Sequence, residues 1–245
     1  MIAELCELTV HIDTGRWSET VLDAVSLAVP AGRITALLGE SGCGKSMLAA
    51  ALTGGLPESA QVTGEVLVDG VPVRDRRHWR RLRGRTVGLV PQAGVTAFSA
   101  GHTVGAQLRE RENRYRRWTL DRACAAARYP ADAFDLHPHQ HSGGQIQRAA
   151  LAAALLPAPE VLIADEPTAS LDADLAHEVW ATLRQYADAG AAVLAITQDV
   201  SLLTTTGVAD RMAVLREGRI TAAGSASELR SLADPYVRGF FLDSV

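Results

Sequence analysis

Eight consecutive residues, Gly39-Glu40-Ser41-Gly42-Cys43-Gly44-Lys45-Ser46, fit the order G-x4-G-K-[ST]. Glycines let the backbone curl so that successive N–H groups point inward. A helix starting where the loop ends adds partial positive charge. Together these make a cradle for phosphate. Lys45 is the only lysine among 24 basic residues. A compact ammonium fits between two phosphates, where the wide planar fork of arginine does not. The Ser46 hydroxyl is suited to ligate Mg2+, and Met47 continues into a helical run. The residues Gly39 to Met47 are therefore expected to hold a nucleotide.

A second group of acids lies downstream. Val161-Leu162-Ile163-Ala164-Asp165-Glu166 reads as an apolar strand ending in two carboxylates. In open α/β sheets ligands sit at the carboxyl ends of strands, so both acids are expected to face the phosphates. Asp165 would hold the Mg2+ shell through water, and Glu166 would orient or deprotonate an attacking water. The plain alternative is a strand exit carrying two solvated acids. Ahead of this strand, His141-Ser142-Gly143-Gly144-Gln145 opens the helical run Ile146–Leu156. Two glycines and a serine at a helix N-terminus form another anion site. A chain with one nucleotide needs a second cradle only if that cradle serves the nucleotide of another subunit.

These side chains need a frame to hold them. The segments Ile34–Leu38, Val87–Val90, Val161–Ala164 and Ala192–Thr197 are apolar on both faces, as in a parallel sheet covered by helices. Glu4–Ile12, Ser26–Val29 and Glu65–Val68 alternate and predict an antiparallel patch near the start. From Gln92 to Leu156 the pattern is helical, rich in Arg and Ala, with no convincing strand. A helical subdomain inserted into an α/β core fits this order. The expected division is a core of residues 1–92 and 158–245 around a helical segment, 93–157. The stretch Ser225 to Val245 reads as a terminal helix and tail.

With both cradles and the carboxylate pair in this order, the chain resembles the ATPase subunits of ABC transporters. Their Leu-Ser-Gly-Gly-Gln signature matches at 141–145 except for His141. Gln92 after Pro91 matches their Q-loop, and Ser170-Leu171-Asp172 their D-loop. The resemblance covers nearly the whole chain and implies a P-loop NTPase core with a helical signature subdomain. It also implies that two subunits sandwich two ATP molecules head to tail. Each ATP would lie between the Lys45 loop of one subunit and Ser142, Gly143, Gly144 and Gln145 of the other. Gln92 would join Ser46 and Asp165 around Mg2+. Trp17 stands where the family often stacks an aromatic on adenine; the alternative is a tryptophan packed into the core.

The runs Pro91–Ser99, Thr103–Leu108 and Asp234–Arg238 are similar to those of peptide/nickel-type importer ATPases, with Gly94, Phe98 and Ala100 departing from the usual residues. The resemblance implies transmembrane permease subunits as partners, and a second ATPase subunit, a different chain being favoured over a copy of this one. An extracytoplasmic substrate-binding protein would act through the permeases. The protein would then be peripheral, at the cytoplasmic face of the membrane.

One departure bears on mechanism. After the strand Ala192–Ile196 the family places a switch histidine, and here the residue is Gln198. An amide can donate a hydrogen bond but cannot become cationic. Losing a charge-assisted contact costs about 1–3 kcal/mol, or roughly 5–150-fold in rate. Turnover at this chain's own site would then be slow, the alternative being that Glu166 suffices and Gln198 is a tolerated substitute. Three functions follow as alternatives: an ATP-hydrolysing importer subunit, a subunit that holds ATP and hydrolyses little, and a soluble ABC-type ATPase outside transport.

Composition narrows the field. A net charge of −4 argues against non-specific nucleic-acid binding as the main role, and 47% hydrophobic with 21% charged residues is typical of a globular domain. The longest uncharged apolar stretch, Ala149 to Pro159, falls well short of the ~20 residues a spanning helix needs. The start of the chain is acidic and lacks the basic opening of a signal peptide. Cys6, Cys43 and Cys124 are expected to be free thiols. The arginine runs 74–85 and 109–117 read as solvated helix faces, and His137, His139 and His141 as a loop rather than a metal site.

Overall fold

The computed structural model describes residues 2–242, so the end of the expected C-terminal tail lies outside the described residues. The chain opens with a long hairpin, β1 (Ala3–Asp13) and β2 (Ser18–Val29). β1 buries Ala3 and Leu5, then Leu8, Val10 and Ile12. The phase slips between them, where Glu7 adopts a φ of 48° and the register shifts. Next come β3 (Ile34–Leu38), α1 (Lys45–Thr53), β4 (Ala60–Val68), β5 (Val71–Pro72), α2 (Arg76–Leu82) and β6 (Val87–Val90). Strands β2, β1, β4 and β5 form an antiparallel four-stranded sheet in that order. It is larger than the expected patch, because β2 and β4 begin well before their apolar ends.

Three helices follow with no strand among them: α3 (Val104–Tyr115), α4 (Leu120–Ala126) and α5 (Gly143–Leu155). Thr103 and Thr119 cap the first two, each accepting a backbone N–H with its hydroxyl. The chain then returns to alternation: β7 (Val161–Asp165), α6 (Ala173–Asp188), β8 (Ala192–Ile196), α7 (Val200–Thr206), β9 (Arg211–Arg216) and β10 (Arg219–Gly224). Two short helices, α8 (Ala226–Ser231) and α9 (Pro235–Gly239), take the place of the single expected terminal helix.

The second sheet has the order β10-β9-β3-β8-β7-β6. From β9 to β6 every pairing is parallel, and β10 adds an antiparallel edge. Period-2 alternation sends its side chains to two separate cores. Leu37, Val161, Ile163, Leu194 and Ile196 face α1 and the antiparallel sheet. Ala36, Leu38, Leu162, Ala164, Val193 and Ala195 face α5, α6 and the helical segment. Burial on both faces is why these strands are unbroken apolar runs.

The seven arginines between Arg74 and Arg85 are all exposed, on and around α2. No helix among the described residues is long and apolar enough to cross a membrane.

Candidate functional site

The carboxyl ends of β3, β7 and β8 converge because these three strands lie side by side in the sheet. From β3 the chain turns at Gly39, packed so tightly that a Cβ there would stand 2.5 Å from the Leu215 carbonyl oxygen. The loop closes at Gly44, which caps α1 with a φ of 110°, a conformation glycine adopts at no steric cost. Lys45 is 8% exposed, and its Nζ donates to the carbonyls of Gly39 at 2.7 Å and Glu40 at 2.8 Å.

A cleft of about 230 Å3 is lined by Ser41, Gly42, Gly44, Lys45, Ser46, Met47, Gln92, Asp165, Glu166 and Gln198, together with Val21 from β2. Sequence segments far apart thus meet at one place. Asp165 ends β7, and Glu166 follows in the left-handed region, with a φ of 48°, while its N–H donates to the Ile196 carbonyl at 2.8 Å. A non-glycine residue held there is strained, a feature common at functional sites. Both carboxylates are 8% exposed, which rules out the reading as solvated acids at a strand exit.

Burial pushes the Asp165 carboxyl above its ordinary range, opposed by the Ser46 hydroxyl and the Lys45 ammonium. Burial also raises Glu166, against hydrogen bonding from Gln198 and the charge of Lys45. Oε1 of Glu166 is buried with no hydrogen-bond partner among the described residues. An orphaned acceptor of this kind is costly unless a ligand or water completes it. The residues therefore fit a triphosphate with a divalent cation: a cation and loop amides for phosphate, a hydroxyl and a carboxylate for the metal, and a free carboxylate oxygen for water.

The other expected residues are elsewhere. Ser142, Gly143, Gly144 and Gln145 do not line this cleft. Ser142 caps α5, its hydroxyl accepting from Gln145 N at 3.2 Å while the Gln145 side chain accepts from Ser142 N at 3.0 Å. Trp17 lies in the β1–β2 turn at 48% exposure, which excludes the core-packing alternative. Cys43 is half-buried, and burial raises its thiol.

Sequence reasoning missed the layer behind the loop. Gly218 N donates to the Cys43 carbonyl at 3.1 Å. The Tyr236 hydroxyl accepts from Glu40 N at 3.4 Å, with the Arg216 guanidinium 4.8 Å from its ring centroid. The only signal was the Asp234–Arg238 element, whose place against the phosphate loop no spacing reveals.

The family model described as "ABC transporter" matches residues 22–169. The chain belongs to the ABC transporter family. The chain is 33% identical to an oligopeptide transport ATP-binding protein of Mycobacterium tuberculosis over 97% of its own length, and spans 41% of that relative. It is 37% identical to a cobalt import ATP-binding protein of Rhodobacter capsulatus, over 86% of the chain and 75% of the relative. In fold it is similar to a dimeric ATP-binding cassette solved in a post-hydrolysis state bound to ADP and Pi. The TM-score is 0.80 at 23% identity, covering 91% of this chain and 98% of that one. The α/β fold with parallel and antiparallel sheets is that of ABC ATPase cassettes.

Proposed function

We propose that this ABC ATPase binds and hydrolyses ATP with Mg2+ to power a membrane importer, for peptide or nickel-type substrates, docked on transmembrane permeases at the cytoplasmic face. The observation that carries the reading is the shared cleft of Lys45, Ser46, Gln92, Asp165, Glu166 and Gln198. In this reading the Lys45 ammonium leaves its carbonyls for the phosphates, and the amides of Gly39 to Met47 cradle them. Ser46, Gln92 and Asp165 would hold Mg2+, which would supply positive charge to the phosphates. Glu166 accepts a hydrogen bond from the attacking water at its orphaned oxygen and takes its proton. Gln198 donates to the terminal phosphate, and Trp17 stacks on the base.

The signature residues 142–145 lie outside the cleft, which supports their serving the ATP of a second ATPase subunit. We place residues 1–92 and 158–245 in the ATP-binding core and 93–157 in the helical subdomain that meets the permeases. A groove of about 550 Å3, lined from both parts by Gly84, Leu89, Thr96, Arg111 and Tyr115 among others, supports docking there. Peptide transport is favoured by the oligopeptide relative, and the cobalt relative keeps metal import as the second reading.

The test is to purify the tagged chain from membranes and assay Mg2+-dependent ATPase in what comes with it. Two permeases, a second ATPase and ATP hydrolysis are expected. A soluble chain without membrane partners would overturn the transport reading, and absence of ATP binding the whole of it.

A further inference from the structure

The seven arginines from Arg74 to Arg85 stand against one acid in the same run, Asp75, in a chain whose net charge is −4. The fold uses little of that charge. α2 is pinned by its one buried residue, Trp79, whose ring packs on Gly54 at the end of α1. Asp75 caps the helix by accepting from His78 N at 2.7 Å. Arg83 donates to the Thr53 carbonyl at 2.8 Å and to that of Gly54, and so serves the frame. Arg74 and Arg76 reach the exposed Glu65 and Glu58. Arg77, Arg80, Arg81 and Arg85 have no ion-pair partner among the described residues. Arg76 and Arg80, like Arg77 and Arg81, are four residues apart on α2, a like-charge spacing that destabilises a helix. Arg76 and Arg77 also occupy the first turn, where the helix dipole disfavours cations. The cluster thus works against its own helix, and anions shared among the guanidinium groups would relieve it.

A pocket of about 310 Å3 is lined by Arg76, Arg80 and Arg83 with Gly54, Gly55 and Leu56. Its wall is shared, because Gly55 and Arg83 also line the groove of about 550 Å3 that the proposed function gives to the permeases. A permease seated in that groove brings the bilayer surface beside α2. We infer that the arginine face of α2 is a docking surface for the anionic lipid headgroups around the permease. Guanidinium groups keep their charge, are weakly hydrated and pair phosphate oxygens two at a time. A negative leaflet attracts such clusters, each cation adding to the binding within a Debye length of about 8 Å. The arginines are spread over the exposed surface of α2 and its flanks, which suits a layer of mobile headgroups better than one acidic side chain. The inference goes beyond the transport reading and rests on it only for which groove meets the permease.

The experiment is co-sedimentation of the full chain with vesicles of phosphatidylcholine, alone or with phosphatidylglycerol as about a third of the lipid. The chain should pellet with the anionic vesicles and stay in solution with the neutral ones. Binding should weaken as salt rises from about 0.1 M to about 1 M, over which the screening length falls from about 10 Å to about 3 Å. Changing Arg77, Arg80, Arg81 and Arg85 together to Gln should weaken it about tenfold or more. Affinity for ATP should stay unchanged, since none of the four lines the Lys45 cleft. The same change at Arg16, Arg211, Arg230 and Arg238, exposed on other elements, should have a much smaller effect. Equal loss in the two variants, no loss in the first, or no preference for the anionic vesicles overturns the inference. The vesicles contain no protein, so such a failure leaves the transport reading standing. That reading fails separately, if no permease purifies with the tagged chain.

Discussion

Lys45 donates to the carbonyl of Gly39 at 2.7 Å, so the loop's one cation closes back on the residue where the loop begins. Its second acceptor is the Glu40 carbonyl at 2.8 Å. Phosphate oxygens can replace both acceptors at little reorganisation cost. Hydrogen bonds to charged groups are worth about 1.5–3 kcal/mol each, so Lys45→Ala should weaken ATP binding about 10–100-fold. Lys45→Arg should not restore it, because the planar fork does not fit a space built for a point charge. Titration calorimetry on the isolated chain measures both; near wild-type affinity in Lys45→Arg would refute the point-charge argument.

In the proposed function Glu166 acts on water rather than holding the nucleotide. Glu166→Gln keeps the shape and removes the base, so hydrolysis by the assembled ATPase should drop about 100-fold or more. Affinity for ATP should change little. If turnover survives the substitution, the proton is taken elsewhere.

The same carboxylate carries a stability cost. Burial raises Glu166 above its usual value of 4.5, so the fold disfavours the charged form. Its contribution is favourable below that value and is lost as pH rises through the raised one. In the nucleotide-free chain Glu166→Gln should therefore raise Tm at pH 8, by about 2–4 °C for each kcal/mol relieved. The gain should shrink toward pH 4.5. Thermal melts at the two pH values decide it: a gain that is equal or larger in acid contradicts the desolvation argument.

Much of this site is legible in the sequence because its chemistry is local. A strand, a glycine-rich loop and a helix within twenty residues define the cradle, and Asp165 and Glu166 end an unmistakable apolar run. What is not legible is contact between distant segments. β9 and β10 are missed because the apolar run 212–215 of β9 is bracketed by Arg211 and Arg216, while β10 alternates half-buried with exposed residues and offers only Ile220 as a large apolar side chain. Their turn nevertheless braces Cys43 from behind. Nothing in the spacing of Pro91 and Gln147 announces the hydrogen bond that joins them. Burial of the carboxylate pair also had to come from the fold, since an isolated strand end leaves acids in water.

Gln198 is the departure whose effect can be measured directly. It lines the cleft with Glu166 and acts to hold that carboxyl down, but as an amide it carries no charge. Gln198→His in the assembled complex should raise steady-state ATPase about 5-fold or more, the equivalent of roughly 1 kcal/mol or more at the barrier. An unchanged or lower rate removes the handicap argument and leaves Glu166 sufficient by itself.

Asp210 tests the frame beneath the site. Its carboxylate accepts from Ile34 N at 2.7 Å, Arg33 at 2.8 Å and Arg184 at 2.6 Å, tying the start of β3 to α6. Burial acts to raise this carboxyl, but the hydrogen bonds from Ile34, Arg184 and Arg33 outweigh it and hold it below the usual 3.8. Its stabilisation is thus present above that value and is lost as pH falls through the depressed one. Asp210→Ala leaves Arg184 and the Ile34 amide without this acceptor, at a cost of about 2–3 kcal/mol near pH 7. That corresponds to a Tm lower by roughly 4–12 °C in a chain of this size. The gap between variant and wild type should narrow in acid, as the wild-type carboxyl takes up its proton. A gap that is absent at pH 7, or that widens in acid, would mean that β3 is held by its neighbouring strands alone.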